Sequence, residues 1–304
     1  MRKITVHKSD LQIPSIGLGC MRISALPDQN TVNHLLETSM EQGVNFFDHA
    51  DIYGGGECER IFGKWLAEKK REDMIIQSKC GIRQGQFGFS KEYILQSADG
   101  ILQRLGTEYL DIFLLHRPDT LMEPDEVAEA FEELHKAGKV RYFGVSNMTP
   151  YQIELLNEAC GGKILFNQVQ FSVAHCGMID SSLNANMYIP EAINRDNGLL
   201  EYARLKKLTL QAWSPFQYGM FEGTYIGSEK YPELNRKLNE IGEKYHLTPN
   251  AVAVAWIMRH PAKIQTIVGT TNAQRFAECC EAANMELTRE EWYALYLAAG
   301  KKLP

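Results

Sequence analysis

Four side chains of the sequence have types that, brought together, could reduce a carbonyl group. They are Asp48, Tyr53, Lys79 and His116, and each follows a short apolar run. A tyrosine phenol has a reference pKa of about 10, which an adjacent ammonium lowers, and a carboxylate can hold that ammonium in place. A nearby imidazole can orient a carbonyl oxygen by a hydrogen bond. The set suits a reaction in which an oxyanion develops and is protonated, such as hydride reduction.

Each of the four residues also has a structural interpretation when it is taken alone. Asp48 could cap a helix, Tyr53 could be a surface aromatic, and Lys79 could be a solvated charge. His116 could be a hydrogen-bonded structural histidine. Their joint placement just past apolar runs favours a shared catalytic role.

A repeating order of elements would position these side chains. Short β-rich apolar runs alternate with amphipathic helical segments, and eight such runs occur, at 16–18, 45–47, 74–77, 110–114, 142–145, 166–170, 209–212 and 266–268. Runs without polar alternation indicate parallel strands buried on both faces. Eight βα units predict an α/β protein with a (β/α)8 TIM barrel, whose active site lies at the carboxyl ends of the strands. Residues 4–6 and 11–13 predict an N-terminal β-hairpin that caps the barrel bottom.

Helix boundaries are marked by terminal signals. Pro124 and Gly138 bracket one predicted helix, and Gly106 ends another. Thr149 and Gln152 form a capping-box pattern around a proline.

The composition favours one domain over residues 1–304 and excludes several classes of partner. The net charge of −6 is spread along the chain, which argues against nucleic acid and membrane surfaces. Seven scattered cysteines indicate reduced thiols, and the first residues lack an apolar signal segment. We therefore expect a cytoplasmic protein. His49 with Asp48 and Asp51 lacks the spacing of a metal site, so no metal is expected.

Several motifs, in order along nearly the whole chain, resemble the aldo-keto reductase family. The segment from Asp48 to Gly54 is similar to the family's D-x-A-x-x-Y-G motif. The other similar blocks are Leu114-Leu115-His116, Val145-Ser146-Asn147, Asn167-Gln168 and Trp213-Ser214-Pro215. Each block alone is weak, but the ordered set at barrel spacing is specific.

The resemblance implies an NAD(P)H-dependent reductase of small aldehydes and ketones that works as a monomer. Tyr53 would be the general acid, Lys79 and Asp48 would tune it, and His116 would orient the carbonyl. Ser146, Asn147 and Gln168 would hold the nicotinamide carboxamide, and Trp213 would stack on the ring. The remaining cofactor contacts would come from Gly19, Cys20, Met21, Asp48, Ser214, Pro215, Gly269, Thr270, Thr271, Arg275 and Glu278.

The sequence departs from the family pattern at three places. Gly269-Thr270 replaces a common Lys-Ser pair, which removes one positive charge near a 2′-phosphate, although Arg275 remains. Because Arg275 remains, NADP(H) is expected, with NAD(H) the less favoured cofactor. Cys279 replaces a residue that is often Asn. His49 follows Asp48 where a small hydroxyl residue is usual, and we interpret it as a packing residue.

Two other functions stay open from the residues alone. The barrel could retain cofactor as a redox-sensing regulatory subunit, although a pure binder has no need of a proton donor. Lys79 could instead form a Schiff base in an aldolase, although the adjacent Tyr53 argues against that. Substrate contacts are expected from residues 117–122, 172–197 and 216–231 and from the C-terminal tail, with 172–197 long for an uninterrupted loop.

Overall fold

The computed structural model describes residues 1–304 and contains a closed barrel of eight parallel strands. Its strands are β3 (Ile16–Gly19), β4 (Phe46–Asp48), β5 (Ile75–Cys80), β8 (Leu110–Leu115), β9 (Val140–Ser146), β10 (Ile164–Gln170), β11 (Thr209–Trp213) and β12 (Gln265–Val268). They are hydrogen-bonded around the barrel in the order β10-β11-β12-β3-β4-β5-β8-β9. All eight strands predicted from the apolar runs are confirmed.

The strands form because their side chains are buried on both faces. Every residue of β5 and of β8 is buried, including the polar Gln77 and Lys79. A β-branched and leucine-rich run of this kind packs the barrel interior on one face and the surrounding helices on the other.

Eleven α-helices surround or follow the barrel strands. They are α1 (Gln29–Glu41), α2 (Glu57–Leu66), α3 (Lys91–Leu105), α4 (Pro124–Lys136), α5 (Pro150–Cys160), α6 (Gly177–Leu183), α7 (Leu199–Lys206), α8 (Pro232–Tyr245), α9 (Pro249–Met258), α10 (Ala273–Cys280) and α11 (Arg289–Ala298).

The terminal signals of the helices act as predicted. Thr149 and Gln152 form the capping box of α5, and Thr248 caps α9 through its hydroxyl. Gly106 ends α3 in the left-handed conformation, with φ of 66°, where a side chain would be strained.

An N-terminal hairpin closes the bottom of the barrel. Its strands β1 (Lys3–Thr5) and β2 (Gln12–Pro14) pair antiparallel. Ile4 and Ile13 pack in one apolar cluster with the barrel residues Phe46, Ile112 and Phe166. The predicted cap is therefore present. A second small hairpin, β6 (Ile82–Arg83) with β7 (Gln86–Phe87), follows β5 and was not predicted.

Residues 172–197 are not the uninterrupted loop that the sequence indicated. They contain α6 and a short 3-10 helix at Pro190–Ala192. Asp180 in α6 accepts hydrogen bonds from Tyr296 at 2.9 Å and from Lys301 at 2.7 Å, which fastens the C-terminal tail to this segment. No helix is both long enough and apolar enough to span a membrane.

Candidate active site

A cavity of about 680 Å³ opens at the carboxyl ends of the barrel strands. Asp48, Tyr53, His116 and Trp213 all line it, and they come from the carboxyl ends of three strands, β4, β8 and β11. The size falls in the range of small-molecule sites, and the location is where barrel enzymes assemble their chemistry. The sequence-predicted residues therefore converge on one site.

Lys79 is the centre of a buried polar cluster at the wall of this cavity. Its ammonium lies 2.7 and 2.8 Å from the two carboxylate oxygens of Asp48 and donates to the His49 carbonyl at 2.8 Å. It also donates to Tyr53 Oη at 3.2 Å. The Lys79 side chain is fully buried, so these three partners satisfy its three N–H donors.

Burial and charge act in opposite directions on the pKa of Tyr53. Burial raises the pKa of the phenol above 10, while the Lys79 ammonium opposes that rise, and the net shift is upward. The ammonium lowers the pKa as predicted, but desolvation of the phenolate outweighs this attraction, so the net shift is upward and not downward. Tyr53 therefore carries its proton at neutral pH.

Lys79 remains charged despite its burial. Desolvation lowers the pKa of this amine, but the Asp48 carboxylate and Tyr53 more than compensate, so the pKa is raised. His116 lies edge-on to Tyr53, with ring centroids 6.0 Å apart. Burial, assisted by the charges of Lys79 and Arg117, lowers the pKa of His116 well below its usual value, so its imidazole is neutral.

A second group of hydrogen bonds links side chains at the carboxyl ends of the neighbouring strands β9, β10 and β11. Trp213 Nε1 donates to Asn147 Oδ1 at 3.1 Å, and Asn147 Nδ2 donates to Ser146 Oγ at 2.7 Å. Ser146 in turn donates to the Gln168 carbonyl at 2.8 Å. Asn147 and Ser214 have φ of 57° and 50°, in the left-handed region. Such conformations outside glycine are uncommon and are found often at functional sites.

A row of buried glutamines crosses the barrel interior and was missed by the sequence interpretation. Gln77 Nε2 donates to Asp48 Oδ1 at 2.6 Å, and Gln77 and Gln211 exchange two hydrogen bonds of 3.0 Å. Gln211 donates to Gln265 at 2.8 Å, and Gln265 donates to the Pro14 carbonyl of the hairpin. The signal was present, since each glutamine lies within or beside an apolar run. What the sequence lacked was the register that brings three strands into contact.

Most of the residues predicted to contact cofactor line the cavity. They are Gly19, Met21, Asp48, Ser146, Asn147, Gln168, Trp213, Ser214, Pro215, Gly269, Thr270, Thr271 and Arg275.

Two predicted cofactor residues, Cys20 and Glu278, do not line the cavity. The Cys20 thiol is fully buried beside the Leu18 carbonyl, and its backbone N–H donates to Asp48 O. Glu278 lies on α10 and accepts a hydrogen bond from Gln274, one turn earlier. Each side chain is directed to a local partner instead of the cavity.

His49 packs outside the barrel, away from the cavity. Successive residues of a strand point to opposite faces, so Asp48 enters the barrel while His49 meets Phe62 of α2 with ring centroids 4.6 Å apart. Neither ring nitrogen has a hydrogen-bond partner. Burial, with a contribution from Lys79, lowers the pKa of His49 to about 3. The packing interpretation of His49 agrees with this position.

The segment after β11 contributes several apolar side chains to the cavity. Phe216, Met220 and Phe221 line it from the segment after β11, whereas no residue of 172–197 and none of the C-terminal tail lines the cavity. Substrate contacts from those two segments therefore stay a prediction, and the tail is held on α6 by Asp180. Arg117 also lines the cavity, with its guanidinium carbon 5.7 Å from the centre of the Trp213 ring.

Nearly the whole chain is similar to a known protein family. The model of the aldo/keto reductase family matches residues 15–296. The uncharacterised oxidoreductase YcsN of Bacillus subtilis is 34% identical over 278 residues, which are 87% of this chain and 86% of that protein. The 6-dehydroglucose reductase of Agrobacterium fabrum is 32% identical over 309 residues, covering 96% of this chain and 97% of that protein.

A solved structure has the same architecture. The crystal structure of the thermostable aldo-keto reductase Tm1743 in complex with the inhibitor epalrestat superposes with a TM-score of 0.77 at 28% identity. The match covers 98% of this chain and 100% of that chain.

Proposed function

The chain belongs to the aldo/keto reductase family, and we propose that it reduces the carbonyl group of a small aldehyde or ketone to an alcohol. A nicotinamide cofactor supplies the hydride when it is bound, and Tyr53 supplies the proton. The observation that carries this proposal is the 3.2 Å contact between Lys79 Nζ and Tyr53 Oη at the wall of the cavity.

Tyr53 and the residues around it have different roles in the transfer of the proton. Tyr53 is protonated at neutral pH and can donate to the oxygen of a carbonyl in the cavity. The neutral imidazole of His116 can donate a second hydrogen bond to the same oxygen and so orient it. Once Tyr53 has given up its proton, the phenolate lies beside the Lys79 ammonium, whose charge stabilises it. Asp48 holds that ammonium in place.

The hydrogen-bonded side chains at the ends of β9, β10 and β11 fit a nicotinamide ring. Gln168 uses its amide nitrogen on Asp48 and Gln211, which leaves its amide oxygen to accept from a carboxamide. Ser146 and Asn147 would complete the carboxamide site. Trp213, held by Asn147, would stack on the ring and leave the other ring face for substrate.

The end of the cavity at the start of α10 suits the phosphates of NADPH. Gly19, Met21, Ser214, Pro215 and Gly269 would line the path of the pyrophosphate. Thr270, Thr271 and Arg275 line the cavity at the start of α10, where the helix terminus favours an anion. Arg275 has no carboxylate partner within the chain and could meet a 2′-phosphate, so we propose NADPH as the preferred cofactor over NADH.

We propose further that residues 1–304 act as one domain and as a monomer. The barrel closes with strands of this chain alone, and one contiguous core cluster reaches from β3 to α11. Light scattering of the purified protein would measure the oligomeric state.

The function is tested by titrating the purified protein with NADPH and NADH, then following cofactor absorbance with aldehydes, sugar aldehydes, quinones and ketones. Tyr53→Phe is expected to lower kcat at least about 100-fold and to leave cofactor affinity nearly unchanged. Tyr151→Phe, in an exposed tyrosine of α5, is the matched control.

Wild-type rates in Tyr53→Phe would refute the assigned acid. Tight cofactor binding without turnover of any carbonyl would favour a regulatory subunit. Covalent trapping of a carbonyl on Lys79 by borohydride would favour an aldolase.

A further inference from the structure

Arg117 is a cation at the end of the cavity near Tyr53, and it has no carboxylate partner in the chain. Its guanidinium contacts the Trp213 ring and lies 3.8 Å from Met220 Sδ, a weak acceptor. No carboxylate lies within 4 Å of it, and Asp119, two residues later, accepts from the Leu121 backbone instead. A guanidinium carries five N–H donors in a fixed plane, so a half-buried one with a single sulfur acceptor leaves most of them without a partner in the protein.

Three arginines that do not line the cavity are paired. Arg71 and Arg141 share Asp111, and Arg104 pairs with Glu59 at 2.6 Å. Arg117, like the other two arginines that line the cavity, has no such ion pair, which indicates that its anionic partner comes from outside the chain.

The charged residues that line the cavity also favour an anionic ligand. Asp48 is the only acidic residue that lines it, and Lys79 neutralises that carboxylate. Arg22, Arg117 and Arg275 also line it, although the chain as a whole carries a net charge of −6. The cavity therefore attracts anions that the rest of the surface repels.

The position of Arg117 separates it from the proposed phosphate site. Arg117 follows β8 and Arg275 follows β12, and four steps around the eight-stranded barrel separate these strands, so they lie on opposite sides. Tyr53 lies close enough to Arg117 to oppose the effect of burial on the pKa of that guanidinium. Phosphates of a cofactor at Arg275 thus leave Arg117 free, beside the groups that act on the carbonyl.

We propose that Arg117 binds a carboxylate of the substrate, so that the natural substrates are oxo acids whose carbonyl is held by Tyr53 and His116. A single guanidinium among Phe216, Met220 and Phe221 matches one negative charge on an otherwise apolar molecule. This inference rests on the proposed reductase function and adds the substrate class.

The test compares ω-oxo acids from 3-oxopropanoate to 6-oxohexanoate with the alkanals of the same length. The wild type is expected to have a higher kcat/KM for the oxo acid than for the alkanal, at the chain length that reaches from Arg117 to Tyr53. Arg117→Gln should lower kcat/KM for that oxo acid by about 10- to 100-fold more than it lowers the value for the alkanal. Arg117→Lys should retain part of the preference, since it keeps the charge without the planar fork. Arg60→Gln, in an exposed arginine of α2, is the control and should retain the wild-type ratio.

An equal loss for oxo acids and alkanals in Arg117→Gln would overturn the inference, because Arg117 would then act on the chemistry itself. So would a wild-type protein that prefers no oxo acid over its alkanal.

Failure of the underlying function has a different signature, namely no reduction of any alkanal by the wild type. In that case, calorimetric titration of the protein still tests the site, by comparing butanoate with the uncharged butanamide. Arg117 predicts tighter binding of the carboxylate in the wild type and equal binding of the two ligands in Arg117→Gln. Equal binding in the wild type would overturn the carboxylate site.

Discussion

Lys79 Nζ lies 3.2 Å from Tyr53 Oη, although the two side chains come from different βα units of the barrel. Tyr53 follows β4, and Lys79 is part of the neighbouring strand β5, where it faces the interior and is fully buried. The parallel register of β4 and β5 brings the two carboxyl ends together. The pair therefore depends on strand order, which local sequence does not encode.

Removal of the Lys79 charge is expected to destabilise the protein, because it leaves the Asp48 carboxylate buried without its cation. We expect Lys79→Met to lower the free energy of unfolding by about 3 kcal/mol. The double variant Asp48→Asn with Lys79→Met should be more stable than Lys79→Met alone, since it removes the unpaired charge. Urea unfolding of the wild type, of Asp48→Asn, of Lys79→Met and of the double variant measures the coupling, and additive losses would show that the pair does not interact.

Gln77 is expected to position Asp48, which in turn holds Lys79 beside Tyr53. Gln77→Leu removes the 2.6 Å hydrogen bond to Asp48 and should lower kcat about tenfold while cofactor affinity stays unchanged. Gln265→Leu breaks the same row of glutamines at its far end and should leave kcat within about twofold. Both variants should lose about 1–3 kcal/mol of stability, because a buried amide loses its partner. Equal kcat values for the two variants would contradict a positioning role for Gln77.

Arg275 is expected to set the preference between the two cofactors. Arg275→Ala should weaken NADPH binding about tenfold and leave NADH binding almost unchanged, since only NADPH carries the 2′-phosphate. Fluorescence titration with both cofactors measures the ratio of the two dissociation constants, and Arg289→Ala on α11 serves as the control. An unchanged ratio would place the 2′-phosphate elsewhere.

His49 is expected to make the folded protein sensitive to acid. Its pKa is about 3 in the folded state and about 6.5 in the unfolded chain, so between these values the unfolded state binds more protons. Stability is therefore lost as pH falls below about 6.5, and the loss continues down to about pH 3. His49→Phe removes this contribution and should retain about 2 kcal/mol more of its stability between roughly pH 6 and pH 4.

Urea unfolding at several pH values compares the slopes of the two proteins. The other titrating groups are shared, so the difference between the slopes reports on His49. Parallel curves would mean that His49 is not a buried neutral imidazole.

The sequence by itself determined the eight strands, the helix ends and the site residues that directly follow strands. Apolar runs without alternation can satisfy burial on both faces only in a parallel sheet covered by helices, so β8 and β5 could be predicted from local pattern. The helix boundaries at Gly106 and Thr149 follow from local backbone chemistry.

Only the tertiary structure decided how neighbours across strands meet and how burial changes their chemistry. Asp48 and His49 are adjacent in sequence, yet one enters the barrel and the other packs on Phe62. The net upward pKa shift of Tyr53 and the solitary position of Arg117 likewise depend on groups far away in the chain. Desolvation and Coulomb energies depend on the whole surroundings of a group, and the sequence lists residues without those distances.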